Sequence, residues 1–304
     1  MSINLAQLMG AISSAKSSQI SDGLLVQVIW QLRLPETLIA LAVGVALALA
    51  GAVLQGFLRN PLADPALLGV SGGASFIVVL LMVLVPQLLQ FSMVLPVFAF
   101  VGGVVGVFLI YVLARFSKNN NQSLLLAGIA INAMFAAGIV LLLALAQKNS
   151  LPKAIFWSFG GINFVNWHEL LLALLLMGIG VGLLLSQARP LDVLSLGEAD
   201  AVFLGVNIAR LRVIILLGVA LSVGSAVALA GPIAFVGLMV PHIARIMFGA
   251  SHKKLLPASM LLGACLVLAA RLFCNWVIEP AILPLGVATA LLGAPFFIWL
   301  LWRC

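Results

Sequence analysis

Charge is what this sequence has least of: 8% of its 304 residues are Asp, Glu, Lys or Arg, while 64% are hydrophobic. A water-soluble domain of this length cannot cover itself with so few charges, so the chain reads as a polytopic membrane protein. Cysteine is scarce too. Cys265, Cys274 and Cys304 are scattered through apolar sequence, which excludes a disulfide framework and leaves them as packing residues. His168, His242 and His252 lack the i, i+4 spacing and carboxylate partners of a ligand set, so no bound metal or other cofactor is expected. No G-x-x-x-x-G-K-S/T segment occurs, and no catalytic constellation stands out; the chain is not expected to be an enzyme, and any ATP must be used by another subunit. The net charge of +7 fits basic cytoplasmic loops better than nucleic-acid binding.

What is abundant is apolar sequence in runs of span length. Runs at 38–57, 66–85, 93–114, 124–147 and 170–186 precede one polar stretch, and runs at 213–230, 233–248, 256–274 and 283–301 follow it. The fold expected is therefore all-α, with about nine transmembrane helices. Residues 1–32 form an outer N-terminal segment with no span and no signal peptide, ahead of a single transmembrane domain over 33–304. The weakest span begins at Pro232: fourteen residues to Arg245 reach only about 21 Å at helical rise and cross obliquely or in part. With that piece counted as a crossing and the polar stretch placed inside, Arg59, Arg115, Lys118, Arg189, Arg210, Arg212, Arg245, Lys253, Lys254 and Arg303 are cytoplasmic. Only Lys16, Arg33, Lys148, Lys153 and Arg271 are then outside, an orientation that follows the positive-inside bias.

Local signals are concentrated in the loop 188–212. Ser195 and Glu198 have the spacing of a capping box, Gly205 is placed as a C-terminal cap, and Asn207 stands where an N-cap belongs before Arg210. Ala199, Val202 and Phe203 share one face of the short helix between them, while Glu198 and Asp200 stay wetter. Such a knob suits a protein partner, and it equally suits a helix that only joins two spans. Earlier in the chain, Ala40, Gly44, Ala48 and Ala52 recur every four residues as a close-packing stripe, and Asn60-Pro61 and Asp64-Pro65 have the N-cap, N1 arrangement. Gln55, Asn132, Ser222, Ser225 and Thr289 are polar within spans and are read as helix-to-helix hydrogen bonds, with Asn132 also a candidate for lining a pathway. Pro241-His242 reads as a helix break, and Trp157 and Trp167 as outer belt residues.

Several stretches together resemble the permease family of ABC importers for iron–siderophore complexes, haem and vitamin B12. They are RLPETLIALAVGVALALAGAVLQGFLRNPLADPALLGVSGG, LGEADAVFLGV, GPIAFVGLMVPHIAR, HKKLLPASMLLGA and LPLGVATALLGAPFFIWLL, in order from Trp30 onward. The resemblance implies a multi-pass protein of the bacterial inner membrane that pairs with a second copy of itself, two cytoplasmic ATP-binding subunits and an outer substrate-binding protein. It makes the loop 188–212 a coupling loop, in which Glu198, Ala199, Asp200, Phe203, Leu204 and Gly205, with the cap Ser195, meet the ATPase. It also implies alternating access.

The sequence departs from the family in three places. The family's usual ten spans are reduced to nine, its first helix having no counterpart; Glu36 replaces the second arginine of R-L-P-R; and Arg271 and Asn275 stand where the family has Asp and Arg. Arg33 and Arg271 are then the candidate docking residues for the binding protein, while Arg33 and Glu36, three residues apart, are also spaced to pair with each other. Two rival readings are an ion-coupled secondary transporter, which needs intramembrane carboxylates or broken helices, and an inactive membrane scaffold lacking the first helix.

Overall fold

Inside a hydrocarbon layer every backbone N–H and C=O must be satisfied without water, and apolar runs of this length do so as helices. The computed structural model describes residues 26–116, 121–147, 150–162, 166–277 and 283–301, and among these it holds twelve α-helices and no strand. They are α1 (Leu34–Leu58), α2 (Val70–Leu84), α3 (Val94–Phe116), α4 (Asn121–Leu145), α5 (Leu151–Ser158), α6 (Trp167–Leu185), α7 (Ala188–Leu194), α8 (Glu198–Phe203), α9 (Ile208–Ala230), α10 (Val236–Phe248), α11 (His252–Val277) and α12 (Leu285–Leu301). Six helical stretches are long and apolar enough to cross a membrane, while α2, α10 and Leu285–Phe296 are apolar but shorter. Each of the nine expected runs contains a helix, three of them below the roughly 20 residues of a full span.

The first helix begins earlier than the sequence pattern indicates. It is continuous over Val26–Leu58, so Arg33 and Glu36 ride on a helix and residues 26–32 of the expected outer segment belong to it. Residues 1–25 lie outside the described part. The extension contains a π turn, Ile29–Arg33, where Leu34 N–H donates to the Ile29 carbonyl. Pro35 just beyond it has no N–H and crowds the carbonyl four residues back, which favours such a widened turn. The displaced Trp30 carbonyl instead accepts from Trp167 Nε1 at 3.1 Å. Trp157, by contrast, is 5% exposed and packs in the core, not in an outer belt. It sits on the short α5, which the flanking apolar spans hid from periodicity.

Two helices form the centre of the bundle. About 72% of the apolar window of Val26–Leu58 and 78% of that of α9 is buried, against 22–39% for the other four long helices, so the first two are enclosed by the rest. The small-residue stripe of α1 explains how it sits so deep: a Cβ at Gly44 would overlap the Gly263 carbonyl of α11, and one at Gly51 would overlap the Gly237 carbonyl of α10. Backbone meets backbone at both points. Beside the second contact, Pro241 lies inside α10 and supplies no N–H to the Gly237 carbonyl. Gln55, 2% exposed, sends its Nε2 to the carbonyls of Gly237 and Leu238 at 3.5 and 3.1 Å. With this added donor α10 runs through Pro241-His242 without the expected break.

Other polar residues within the spans divide into two kinds. Asn132 on α4 donates to the carbonyls of Ala66 and Leu67 at 3.1 and 3.4 Å, tying α4 to the 3-10 turn Pro65–Leu68. Asp64 caps that turn by accepting from Ala66 N at 2.7 Å, whereas Asn60 accepts from Leu62 N at 2.9 Å and starts no helix. Ser222, Ser225 and Thr289 were expected to bridge helices, but each hydroxyl bonds a carbonyl of its own helix: Gly218, Leu221 and Gly286. A short hydroxyl reaches the preceding turn more easily than a neighbouring helix.

The packing of α1 makes a direct prediction for detergent-solubilised protein. Gly51→Val should lower the unfolding temperature strongly, by more than about 2 kcal/mol of stability, because no side-chain rotation relieves a clash with backbone. Gln55→Leu should cost about 1 kcal/mol. Gly178→Ala on α6, with nothing within 4 Å of the added carbon, should be neutral or stabilising. Equal melting temperatures for all three would remove α1 from the centre of the energetics.

Candidate functional site

Between the buried ends of α6 and α9 the chain leaves the bundle as two short helices. Leu191 and Leu194 of α7 and Ala201 of α8 are fully buried and root the pair. The expected capping box does not form. Ser195 ends α7, where its hydroxyl turns back to the Asp192 carbonyl at 2.6 Å, and Gly197 (φ +143°) occupies the start of α8 without a side-chain cap. The loop thus holds a second short helix, α7, ahead of the one the sequence indicates, with Leu196-Gly197 between them. Glu198 and Asp200 lie in the first turn of α8, the end of a helix that favours negative charge.

The C-terminal cap follows the sequence reading. Gly205 (φ +86°) donates to the Val202 carbonyl at 3.0 Å and Val206 N–H to the Ala201 carbonyl at 2.9 Å, the bond pair of a Schellman motif. Asn207 then caps α9 through Arg210 N at 2.9 Å. Held at this end, α8 presents Ala199, Val202, Phe203 and Leu204 outward, with Phe203 91% exposed. An exposed phenylalanine on a capped helix outside the apolar spans is a surface made to be covered.

Beneath this knob lies a contact that the sequence concealed. Asp192 of α7 accepts from the backbone N–H of His252 and approaches its Nδ1, both at 2.7 Å, while Ser251 Oγ donates to the other carboxylate oxygen at 3.3 Å. Partial burial by itself would raise the Asp192 pKa; the His252 backbone and ring and the Ser251 hydroxyl outweigh it and hold the carboxyl below its ordinary value. His252 is therefore not isolated. Sixty residues separate it from its partner, so spacing could not find the pair.

A second feature is a cavity of about 580 Å³ walled by Ala66, Ser71, Phe159, Pro232, Val287 and Ala290 among others. Among the described residues its wall contains no charged side chain, and the hydroxyls of Ser71 and Ser158 are its only polar side-chain groups. Asn132 is not in that wall, because its amide is committed to the turn behind Ala66. At the cavity's edge three segments cross through glycines. Gly161 N–H donates to the Ala230 carbonyl at 2.8 Å and Gly286 N–H to the Gly160 carbonyl at 3.4 Å; any Cβ at Gly160 or Gly286 would overlap a backbone carbonyl.

The third feature is the opposite end of α1. Glu36 pairs with Arg271 of α11 at 3.3 Å, so the spacing that would join Arg33 to Glu36 is not used. Two of the three residues read as departures from the pattern, Glu36 and Arg271, thus find each other, and Arg33 stays exposed. Among the described residues no three His, Cys, Asp or Glu side chains gather in a way that could hold a metal ion.

Comparisons with known proteins agree along the whole chain. The FecCD transport family model matches residues 1–303. The hemin transport system permease protein of Yersinia pestis is 43% identical over 282 residues, covering 90% of this chain and 83% of its own. The vitamin B12 import system permease protein of Vibrio cholerae is 40% identical over 277 residues, covering 91% and 83%. A solved structure of an inward-facing metal-chelate type ABC transporter superposes with a TM-score of 0.84 at 34% identity, covering 99% of this chain and 97% of that one. With its all-helical, multi-pass architecture and this match from end to end, the chain belongs to the FecCD transport family.

Proposed function

We propose that the protein is the permease subunit of an ATP-driven importer for haem, a corrinoid or an iron chelate. It works by alternating access in a bacterial inner membrane, with a second copy of itself, two cytoplasmic ATP-binding subunits and an outer substrate-binding protein. The observation that carries this reading is α8: a short helix, rooted by Ala201 and locked by Gly205, that holds a bare Phe203 away from the bundle. Without a P-loop the chain needs a partner to use ATP, and α8 is shaped to receive force from one. The uncharged cavity supports substrate held by shape and apolar contact, which suits a large macrocycle or chelate whose metal is already ligated. The positive-inside bias of the sequence, ten basic residues on the side of α8 against five on the other, supports a cytoplasmic position for α8.

Co-purification with a P-loop ATPase, together with hydrolysis stimulated by the binding protein, tests the reading as a whole. Two site predictions sharpen it. Phe203→Asp should weaken ATPase binding by about a hundredfold, roughly 3 kcal/mol for a charge buried without a partner, while membrane insertion is retained. Unchanged affinity would show that α8 only joins two spans.

At the outer rim, Arg33 and Arg271 are proposed to form the docking surface, with Glu36 holding Arg271 in place and damping its charge. Glu36→Gln should tighten binding of an acidic partner and make it more salt-sensitive, and Arg271→Ala should weaken it by exposing an unpaired carboxylate. Identical affinities at low and high salt would take this rim out of the dock.

A further inference from the structure

The knob formed by α8 is useful only if its motion reaches the helices around the cavity. The ring of His252 is 5% exposed and has neighbours on both sides. Its Nδ1 lies 2.7 Å from Asp192, which assigns the ring proton to Nδ1 as donor to the carboxylate. Its Nε2 is buried with no hydrogen-bond partner among the described residues and rests against Gly56 of α1, where a Cβ would collide with it. A ring nitrogen left unsatisfied in the interior is costly, so this seat is set by packing of the ring against bare backbone and not by a bond to Nε2. Asp192 also accepts the His252 backbone N–H, so one carboxylate grips both the first turn of α11 and the ring that touches α1.

We propose that Asp192 and His252 form the joint through which movement of the loop carrying α8 enters the membrane helices, with Gly56 as the seat on which the His252 ring bears. The proposal rests on the reading of α8 as the ATPase contact. Contacts continue inward from the seat without a gap. Gln55, next to Gly56, holds the Gly237 and Leu238 carbonyls at the start of α10, and the segment just before α10 supplies Pro232, Ile233 and Ala234 to the cavity wall. Displacing α7 therefore pushes on α11 and α1 together, and α1 carries α10 with it. Asp192 and His252 are positioning residues; neither is in the cavity wall.

The experiment uses the assembled transporter in nanodiscs, with Cys265, Cys274 and Cys304 replaced by Ser and a single reporter, Ala290→Cys, in the cavity wall. Two quantities are read: the affinity of the ATPase subunit for the permease, and the change in thiol-labelling rate at position 290 when a non-hydrolysable ATP analogue is added. In the reporter background the analogue should change the labelling rate severalfold. Asp192→Ala should bind the ATPase normally and lose that change. Gly56→Ala, which drives a methyl group into the Nε2 position, should lose it as well.

The pair Gly56→Ala/His252→Asn should restore it, because asparagine keeps a donor for Asp192 and lacks the outer half of the ring. That rescue is not expected of residues that merely hold the fold. A labelling change that survives in both single variants, or a double variant that behaves like Gly56→Ala, overturns the joint. Absence of ATPase binding in the reporter background itself would overturn the assignment of α8 first, and with it the premise of the joint.

Discussion

Close approach of helix backbones at glycine is the constraint on which the rest of this structure depends. Lipid is as apolar as leucine, so burial of apolar surface does not by itself drive one membrane helix against another, and van der Waals contact at short range must do so. α1 achieves this twice, at Gly44 against Gly263 and at Gly51 against Gly237. The second contact brings Gln55 to the carbonyl that Pro241 leaves without a donor, which keeps α10 helical through a residue that would otherwise break it. α10 and α11 are thereby joined on α1, and the loop of α7 and α8 at one end and the Glu36–Arg271 pair at the other both make contact with α1.

The placement of charge follows from the same economy. Among the described residues the cavity wall has no ionisable group, and two ion pairs lie at the ends of helices: Asp192 with His252 at the loop, Glu36 with Arg271 at the other end of α1 and α11. Polar side chains deep in the bundle are committed to carbonyls of their own helix, as Ser222 is, of a turn, as Asn132 is, or of a neighbouring helix, as Gln55 is. Glu169, a buried carboxylate, sits in the first turn of α6 and accepts from Asn166 at 3.1 Å, a helix-start arrangement and not a relay. Such a bundle fits the proposed passage of an uncharged or shielded solute by shape, with energy transduction left to the loops.

Much of this was legible in the residues. Apolar runs gave the helices, the four-residue repeat of small residues marked the face of α1 that packs, and Gly205 and Asn207 gave the caps around the loop. What escaped did so for physical reasons. The Ser195/Glu198 pattern matched a capping box, yet the preceding helix α7 claimed Ser195 as its own end. Pro241 read as a break because the compensating donor, Gln55, comes from a helix 182 residues earlier in sequence. Trp157 read as a belt residue because nothing local distinguishes an interfacial tryptophan from one folded inward on a short helix. Asp192 with His252 and Glu36 with Arg271 are pairings across the fold, and in a single sequence long-range pairs of this kind leave no periodic trace. The substitution of both rim residues relative to the family pattern was visible; that the two substitutions meet was not.

The central claim is that transport is driven by a separate ATPase acting through the loop, and uptake into proteoliposomes tests it most directly. Permease, ATPase subunit and binding protein would be reconstituted together, and accumulation of labelled haemin, cyanocobalamin or ferric citrate followed with ATP on the ATPase side. The account predicts that at least one of these accumulates, that accumulation stops when ATP or the ATPase subunit is omitted, and that ionophores collapsing proton and sodium gradients leave it unchanged. Uptake by the permease alone, driven by an ion gradient, would contradict it.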